Sequence, residues 1–112
     1  MAAILLCEDN QEKQRMALNA IDSNGHELWR LCETYPAAML AVSELDDHVG
    51  AAIVDGNLSK GQYRNKEGEQ IIAAIQERNL GIVIIGFCST GELYGADYQT
   101  FSLSDALKKL RK

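Results

Sequence analysis

Three short apolar runs stand out in the sequence, at residues 3–7, 51–54 and 82–85. In each run the apolar residues are continuous and do not alternate with polar ones. This pattern is typical of strands that are covered on both faces, as in a parallel sheet between two layers of helices. The runs therefore predict three buried parallel strands.

The segments between these runs have helical spacing. Apolar residues recur every three or four positions in segments 11–24, 36–45 and 67–78. The first segment ends at Asn24-Gly25, a typical helix C-cap. A capping box of Ser102 and Asp105 predicts one more helix near the end of the chain. The residues predicted to face the core are Met16, Ala17, Ala20 and Ile21 in the first helix, Met39, Leu40 and Val42 in the second, Ile71, Ile72 and Ile75 in the third, and Leu103, Leu107 and Leu110 in the last.

Two further strands, at 28–31 and around 97–100, complete an alternation of strands and helices. This order is typical of an α/β fold with right-handed crossovers. The sequence predicts a doubly wound, five-stranded parallel sheet in a single domain of residues 1–112, a length that suits one sheet and its covering helices.

Composition narrows the choice of partners and location. A net charge of −5 disfavours direct binding to nucleic acid, which depends on Lys and Arg. No apolar stretch approaches the roughly 18 residues of a membrane span, and the first residues do not resemble a signal peptide. We therefore expect a cytoplasmic protein without a membrane segment. His26 and His48 follow turn-forming residues, and we expect both to lie at the surface.

Acidic residues follow two of the predicted strands. Glu8 and Asp9 come directly after the first run, and Asp55 comes directly after the run at 51–54. Ligands of open α/β sheets bind at the carboxyl ends of the strands, so these three carboxylates are expected to converge if the strands are neighbours. Such a cluster favours a divalent cation, with Mg²⁺ the best match for oxygen ligands. Taken singly, each acid also fits a helix N-cap or a turn.

The order of these motifs resembles the receiver domains of two-component response regulators. Residues 4–10 (ILLCEDN) are similar to the first strand and acidic pair of that family, and residues 52–58 (AIVDGNL) to its third strand and phosphoacceptor loop. Residues 68–72 are similar to the start of the third helix, and residues 95–107 to the end of the domain. The resemblance covers essentially the whole chain.

This resemblance implies a phosphorylated aspartate that switches a protein-interaction surface. Asp55 would accept a phosphoryl group from a histidine kinase or a phosphotransfer protein. Glu8, Asp9, Asp55 and the backbone carbonyl of Asn57 would bind Mg²⁺. A hydroxyl group of Ser89 or Thr90 would bind the phosphoryl group and signal to a downstream effector protein. Such a domain is not an enzyme in the usual sense, since it modifies itself.

The sequence departs from the family in two places. Receivers normally carry Lys-Pro at the end of the fifth strand, whereas here Thr100 runs directly into Phe101, and Lys108 and Lys109 lie too far along the last helix. Only residues 91–94 separate Thr90 from Gly95, so the fourth helix of the family is expected to be absent or reduced to a turn. An open sheet edge would then favour a homodimer or a docked partner.

These departures leave two alternatives to a phosphorylated receiver. The first is a pseudo-receiver, which uses the same fold for protein interaction or dimerisation without phosphorylation. The second is a small Mg²⁺-dependent phosphohydrolase. That activity would need a second catalytic acid or base near Asp55, and Gly56-Asn57 does not supply one.

Overall fold

The structure is a computed structural model that describes residues 2–56, 66–87, 93–99 and 103–110. Within these ranges the chain forms five strands and four helices. In chain order they are β1 (Ala3–Cys7), α1 (Gln11–Ser23), β2 (Glu27–Cys32), α2 (Tyr35–Ser43), β3 (Val49–Val54), α3 (Lys66–Arg78), β4 (Val83–Gly86), β5 (Tyr98–Gln99) and α4 (Leu103–Lys108).

The five strands form one parallel sheet in the order β2-β1-β3-β4-β5. The predicted doubly wound, five-stranded α/β fold is therefore confirmed. At the carboxyl ends of the central strands, Cys7 lies opposite both Cys32 and Val54. We call this side of the sheet the carboxyl edge and the opposite side, where the strands begin, the amino edge.

The sheet separates two apolar layers, which explains why its strands are continuously apolar. Leu5 and Cys7 of β1 pack in one cluster with residues of α2 and α3. Ile4 and Leu6 pack in the other cluster with residues of α1 and α4. Successive side chains of a strand point to opposite faces, and because both faces are covered, all four of these side chains are fully buried.

In each of two helices, one residue that was predicted to face the core is exposed instead. Met16 of α1 is 52% exposed and Leu40 of α2 is 61% exposed, so the prediction that they face the core is wrong. In α1 the predicted core residues Ala17, Ala20 and Ile21 are buried, and Gln14 is buried with them. Its Nε2 donates to the carbonyl oxygen of Glu8 at 2.8 Å and to a carboxylate oxygen of Glu33 at 3.0 Å. The burial of Gln14 thus depends on polar contacts, which hydrophobic periodicity does not reveal.

His26 is also placed differently from the expectation. It is buried at the amino edge, where its Nδ1 accepts a hydrogen bond from the Ala2 backbone N–H at 2.9 Å. Its Nε2 lies 3.0 Å from the carbonyl oxygen of Leu107, so Nε2–H is the donor in the neutral ring. The imidazole joins β1, β2 and α4. The prediction of a surface histidine is wrong for His26 and confirmed for His48, which is exposed.

The described part of the chain between β4 and β5, at Phe87 and 93–97, contains turns and no helix. Leu93 is buried there. Asp97 joins this segment to β4, since its backbone N–H donates to the Ile84 carbonyl and its carboxylate accepts from the Ile84 N–H, both at 2.8 Å. This arrangement agrees with the expectation that the fourth helix of the family is absent or reduced to a turn. Ser102 of the predicted capping box lies outside the described residues.

Within the described ranges, no helix has both the length and the apolar character needed to cross a membrane. Cys7 and Cys32 are free, buried thiols.

Candidate metal centre

Three acidic residues meet at the carboxyl edge. The Asp55 N–H donates to the carbonyl oxygen of Cys7 at 2.9 Å, so the chain leaves β1 and β3 side by side. This places Glu8 and Asp9, which follow β1, next to Asp55, which follows β3. One carboxylate oxygen from each of the three residues lies within 4.8 Å of the others. The convergence expected from the sequence is present in the structure.

The three carboxylates differ in their exposure to water. Glu8 is fully buried, Asp9 is exposed, and the Asp55 side chain is 13% exposed. Oε2 of Glu8 accepts a hydrogen bond from the Asn10 N–H at 3.2 Å. Oε1 of Glu8 is buried and receives no hydrogen bond. A buried carboxylate oxygen without a donor is costly, so this atom is the least satisfied acceptor of the cluster.

The electrostatics of the cluster act most strongly on Glu8. Burial and, secondarily, the charge of Asp55 raise the pKa of Glu8 from 4.5 to about 7. The neighbouring ammonium of Lys13 and the hydrogen bond from Asn10 oppose this rise. Glu8 therefore holds a proton more tightly than an ordinary glutamate, which is the expected behaviour of a buried carboxylate beside a second one.

A lysine that sequence reasoning did not single out lies at the centre of this cluster. The Nζ of Lys13 donates to Oδ1 of Asp55 at 3.0 Å and to the carbonyl oxygen of Phe87 at 3.2 Å. It also lies 3.4 Å from Oε1 of Glu8. These three partners follow β1, β3 and β4, so one ammonium group connects the ends of three neighbouring strands.

The start of α1 determines the position of Lys13. Asn10 is the N-cap, and its side-chain oxygen accepts a hydrogen bond from the Lys13 backbone N–H at 2.9 Å. Lys13 consequently lies in the first turn, where the helix dipole disfavours a cation. This unfavourable placement is the signal in the sequence that could have identified it. Burial disfavours its charge, but the hydrogen bond and charge of Asp55, with the charge of Glu8, raise its pKa above 10.5.

Helix α3 packs closely against the backbone that follows β3, at Asp55 and Gly56. The Gly68 N–H donates to the Gly56 carbonyl at 2.8 Å, directly after Asp55. A Cβ atom at position 68 would lie 2.5 Å from the carbonyl oxygen of Asp55 and 2.8 Å from Cα of Gly56. Only glycine allows α3 to approach the Asp55 backbone this closely.

The remaining predicted site residues are not all described. Asn57, Ser89 and Thr90 lie outside the described residues. Lys109 lies away from the acidic cluster, with its ammonium 4.8 Å from the centre of the Tyr98 ring. At the end of β5, Gln99 donates to the carbonyl oxygen of Leu93 at 2.6 Å. Lys13 is thus the cation that contacts the acidic cluster within the described part of the chain.

The donor set fits a hard divalent cation. It offers oxygen ligands, one of them a buried acceptor without a hydrogen bond, and the exposed Asp9 leaves room for water molecules. Mg²⁺ prefers a few carboxylates together with several waters. Lys13 already contacts Glu8 and Asp55, so any metal would meet a resident positive charge in this site.

Several solved structures with a similar fold are response regulators. The chain is similar to the response regulator TrrA of Thermotoga maritima in complex with Mg²⁺ and BeF, with a TM-score of 0.75 and 16% identity over 97% of this chain and 96% of the other. A CheY-like receiver domain protein from Methanospirillum hungatei gives a TM-score of 0.72 and 13% identity, with 97% and 95% of the two chains covered.

A third similar structure, a response regulator from Burkholderia pseudomallei, contains a phosphorylated aspartic acid and a calcium ion. It gives a TM-score of 0.69 and 15% identity, and covers 88% of this chain but 58% of the other. No protein-family model matches the sequence, and no curated protein does. The chain has the fold of response regulator receiver domains.

Proposed function

We propose that the chain is a divergent receiver domain, extending over residues 1–112, that is phosphorylated on Asp55 in a cytoplasmic two-component or phosphorelay system. The observation that carries the proposal is the meeting of Glu8, Asp9 and Asp55 at the carboxyl edge of a receiver fold. Asp55 combines an accessible carboxylate with a backbone position fixed by Cys7 and Gly68.

The reaction at Asp55 is a nucleophilic displacement at phosphorus. One carboxylate oxygen forms a bond to phosphorus while the bond from phosphorus to the donor, a phosphohistidine or an acyl phosphate, breaks. The donor leaves with the electron pair of the broken bond.

Glu8, Asp9 and Asp55 would hold Mg²⁺, and the backbone carbonyl of Asn57 completes the proposed ligand set. When bound, Mg²⁺ supplies positive charge that offsets the negative charge of the phosphoryl oxygens. In the proposed switch, Ser89 or Thr90 then binds the phosphoryl group. The resulting shift would alter a surface that an effector protein, or a second copy of the chain, contacts.

Mass spectrometry with a small phosphodonor tests the proposal. Incubation with acetyl phosphate and Mg²⁺ is expected to add one phosphoryl group to the intact protein, in a form that hydroxylamine removes. Asp55→Asn should abolish the gain, because the amide is not a nucleophile of this kind. Asp22→Asn is the matched control, since Asp22 is an exposed aspartate at the end of α1.

A gain that persists in Asp55→Asn would place the modification elsewhere. No gain from acetyl phosphate or a histidine kinase would favour the second candidate, a pseudo-receiver that interacts with partners without phosphorylation. One observation supports that candidate: the hydrogen bond from Lys13 to Oδ1 already gives Asp55 a cationic partner. An Asp55 paired in this way can hold the fold in one state without a phosphoryl group.

A further inference from the structure

The position of Lys13 has a consequence for metal binding. Its ammonium contacts Oδ1 of Asp55 and lies at ion-pair distance from Oε1 of Glu8. Both carboxylates belong to the three that converge and could hold a metal ion. An ammonium group and a metal ion that use the same carboxylates cannot both keep their full set of contacts.

The space in the cluster supports this conflict. Oxygen ligands of an octahedral Mg²⁺ lie about 2.1 Å from the metal, so neighbouring ligands are about 3 Å apart and opposite ligands about 4.2 Å apart. One carboxylate oxygen from each residue of the cluster lies within 4.8 Å of the others, so one metal ion could contact all three. The Lys13 ammonium contacts Glu8 and Asp55, and it opposes a metal ion at this place by its volume and by its charge.

The Lys13 side chain can also move from the cluster toward solvent. It is 23% exposed, and its flexible stem carries the charge toward solvent without moving α1. Phe87 lies beside this route, with its ring centre 4.8 Å from Nζ. A metal that enters from the exposed side of Asp9 can displace the ammonium without unfolding any element.

We propose that Lys13 is a resident cation of the acidic cluster, which a divalent metal must displace from Glu8 and Asp55 before it binds. Lys13 thereby lowers the affinity of the site for divalent metal and determines the metal concentration at which the site fills. This inference rests on the metal site of the proposed function and adds a residue that opposes its filling.

Direct titration with Mn²⁺, followed by the electron paramagnetic resonance signal of the free ion, tests the proposal. At about pH 8.5, above the Glu8 pKa of about 7, Glu8 is mostly ionised. Lys13→Met removes the charge and keeps a long side chain. It leaves three carboxylates without an internal cation and should bind Mn²⁺ at least about tenfold more tightly than the unaltered protein.

Two control variants separate the local effect from general ones. Lys13→Arg keeps a cation in the cluster and should bind Mn²⁺ as weakly as the unaltered protein. Lys109→Met removes the same charge from α4, beside Tyr98, and should leave the affinity unchanged. Asp55→Asn combined with Lys13→Met should cancel most of the gain, because a ligand oxygen with charge is lost.

Equal affinities for the unaltered protein and Lys13→Met would overturn the proposal, and so would absence of binding in both. A similar gain in Lys109→Met or in Lys13→Arg would also overturn it, because the effect would then not depend on the charge of this lysine. The titration contains no phosphodonor. A failure of Asp55 to accept a phosphoryl group therefore shows only in the mass-spectrometric experiment, and the two outcomes remain distinguishable.

Discussion

The two edges of the sheet differ in how completely their buried polar groups are hydrogen-bonded. At the amino edge, both ring nitrogens of His26 have partners, the Ala2 N–H and the Leu107 carbonyl. At the carboxyl edge, Glu8 is just as buried, but one of its oxygens has no hydrogen bond, and a second carboxylate raises its pKa. The first arrangement favours stability. The second retains electrostatic strain that a ligand can relieve, which is typical of functional sites.

The largest effect on stability is expected at the amino edge. His26→Ala removes both hydrogen bonds of the ring, leaves the Ala2 N–H without its acceptor and creates a cavity beside α4. The free energy of unfolding should fall by about 3 kcal/mol, which urea denaturation measures. His48→Ala is the matched control, because His48 is exposed, and should change stability by less than about 0.5 kcal/mol. Similar losses in the two variants would show that His26 does not join the elements as described.

At the carboxyl edge, the raised pKa of Glu8 should make the stability of the protein depend on pH. The pKa of Glu8 is about 7 in the folded protein and near 4.5 in the unfolded chain, so the folded state binds the proton more tightly. Stability contributed by protonated Glu8 is therefore lost as the pH rises from about 4.5 to about 7. The difference corresponds to roughly 2–3 kcal/mol of stability.

Glu8→Gln cannot titrate and should lose this part of the pH dependence. Denaturant unfolding of both proteins at a series of pH values measures the difference. Glu12→Gln is the control, since Glu12 is an exposed carboxylate in the first turn of α1. An unchanged pH profile in Glu8→Gln would mean that burial of Glu8 carries no electrostatic cost.

A smaller effect is expected where α3 meets Asp55. Gly68→Ala introduces a Cβ atom into space that the backbone of Asp55 and Gly56 occupies. Because the clash is with backbone atoms, it cannot be relieved by the movement of a flexible side chain. The overpacking exceeds the gain in helix propensity, so we expect a net loss of about 1–2 kcal/mol and weaker Mn²⁺ binding. The control is the reverse substitution Ala73→Gly at an exposed position of α3. Its effect on stability measures the difference in helix propensity alone. Unchanged Mn²⁺ affinity in Gly68→Ala would show that α3 does not position Asp55.

The sequence predicted the fold well because its strongest signal is short-range. Continuous apolar runs identify strands buried on both faces, and Glu8, Asp9 and Asp55 directly follow such runs, so their convergence depends only on strand order. The Lys13 contacts with Asp55 and Phe87 could not be predicted in this way, since they join residues 42 and 74 positions apart. His26 was missed for the same reason, because its partner Leu107 lies 81 positions away.

The segment at 93–97 covers part of one end of the parallel sheet without forming a helix. Leu93 fills the space above Gly68 and Gly86, and Gln76 of α3 donates to the Gly95 carbonyl at 3.0 Å. Among the described residues, Leu93 thus shields apolar surface at this end of the sheet from a segment that forms turns. Covering a sheet is a matter of apolar area, and any side chain of suitable shape can provide it. The residues that end the strands are consequently a better criterion for recognising a distant example of this fold than the elements that cover its sheet.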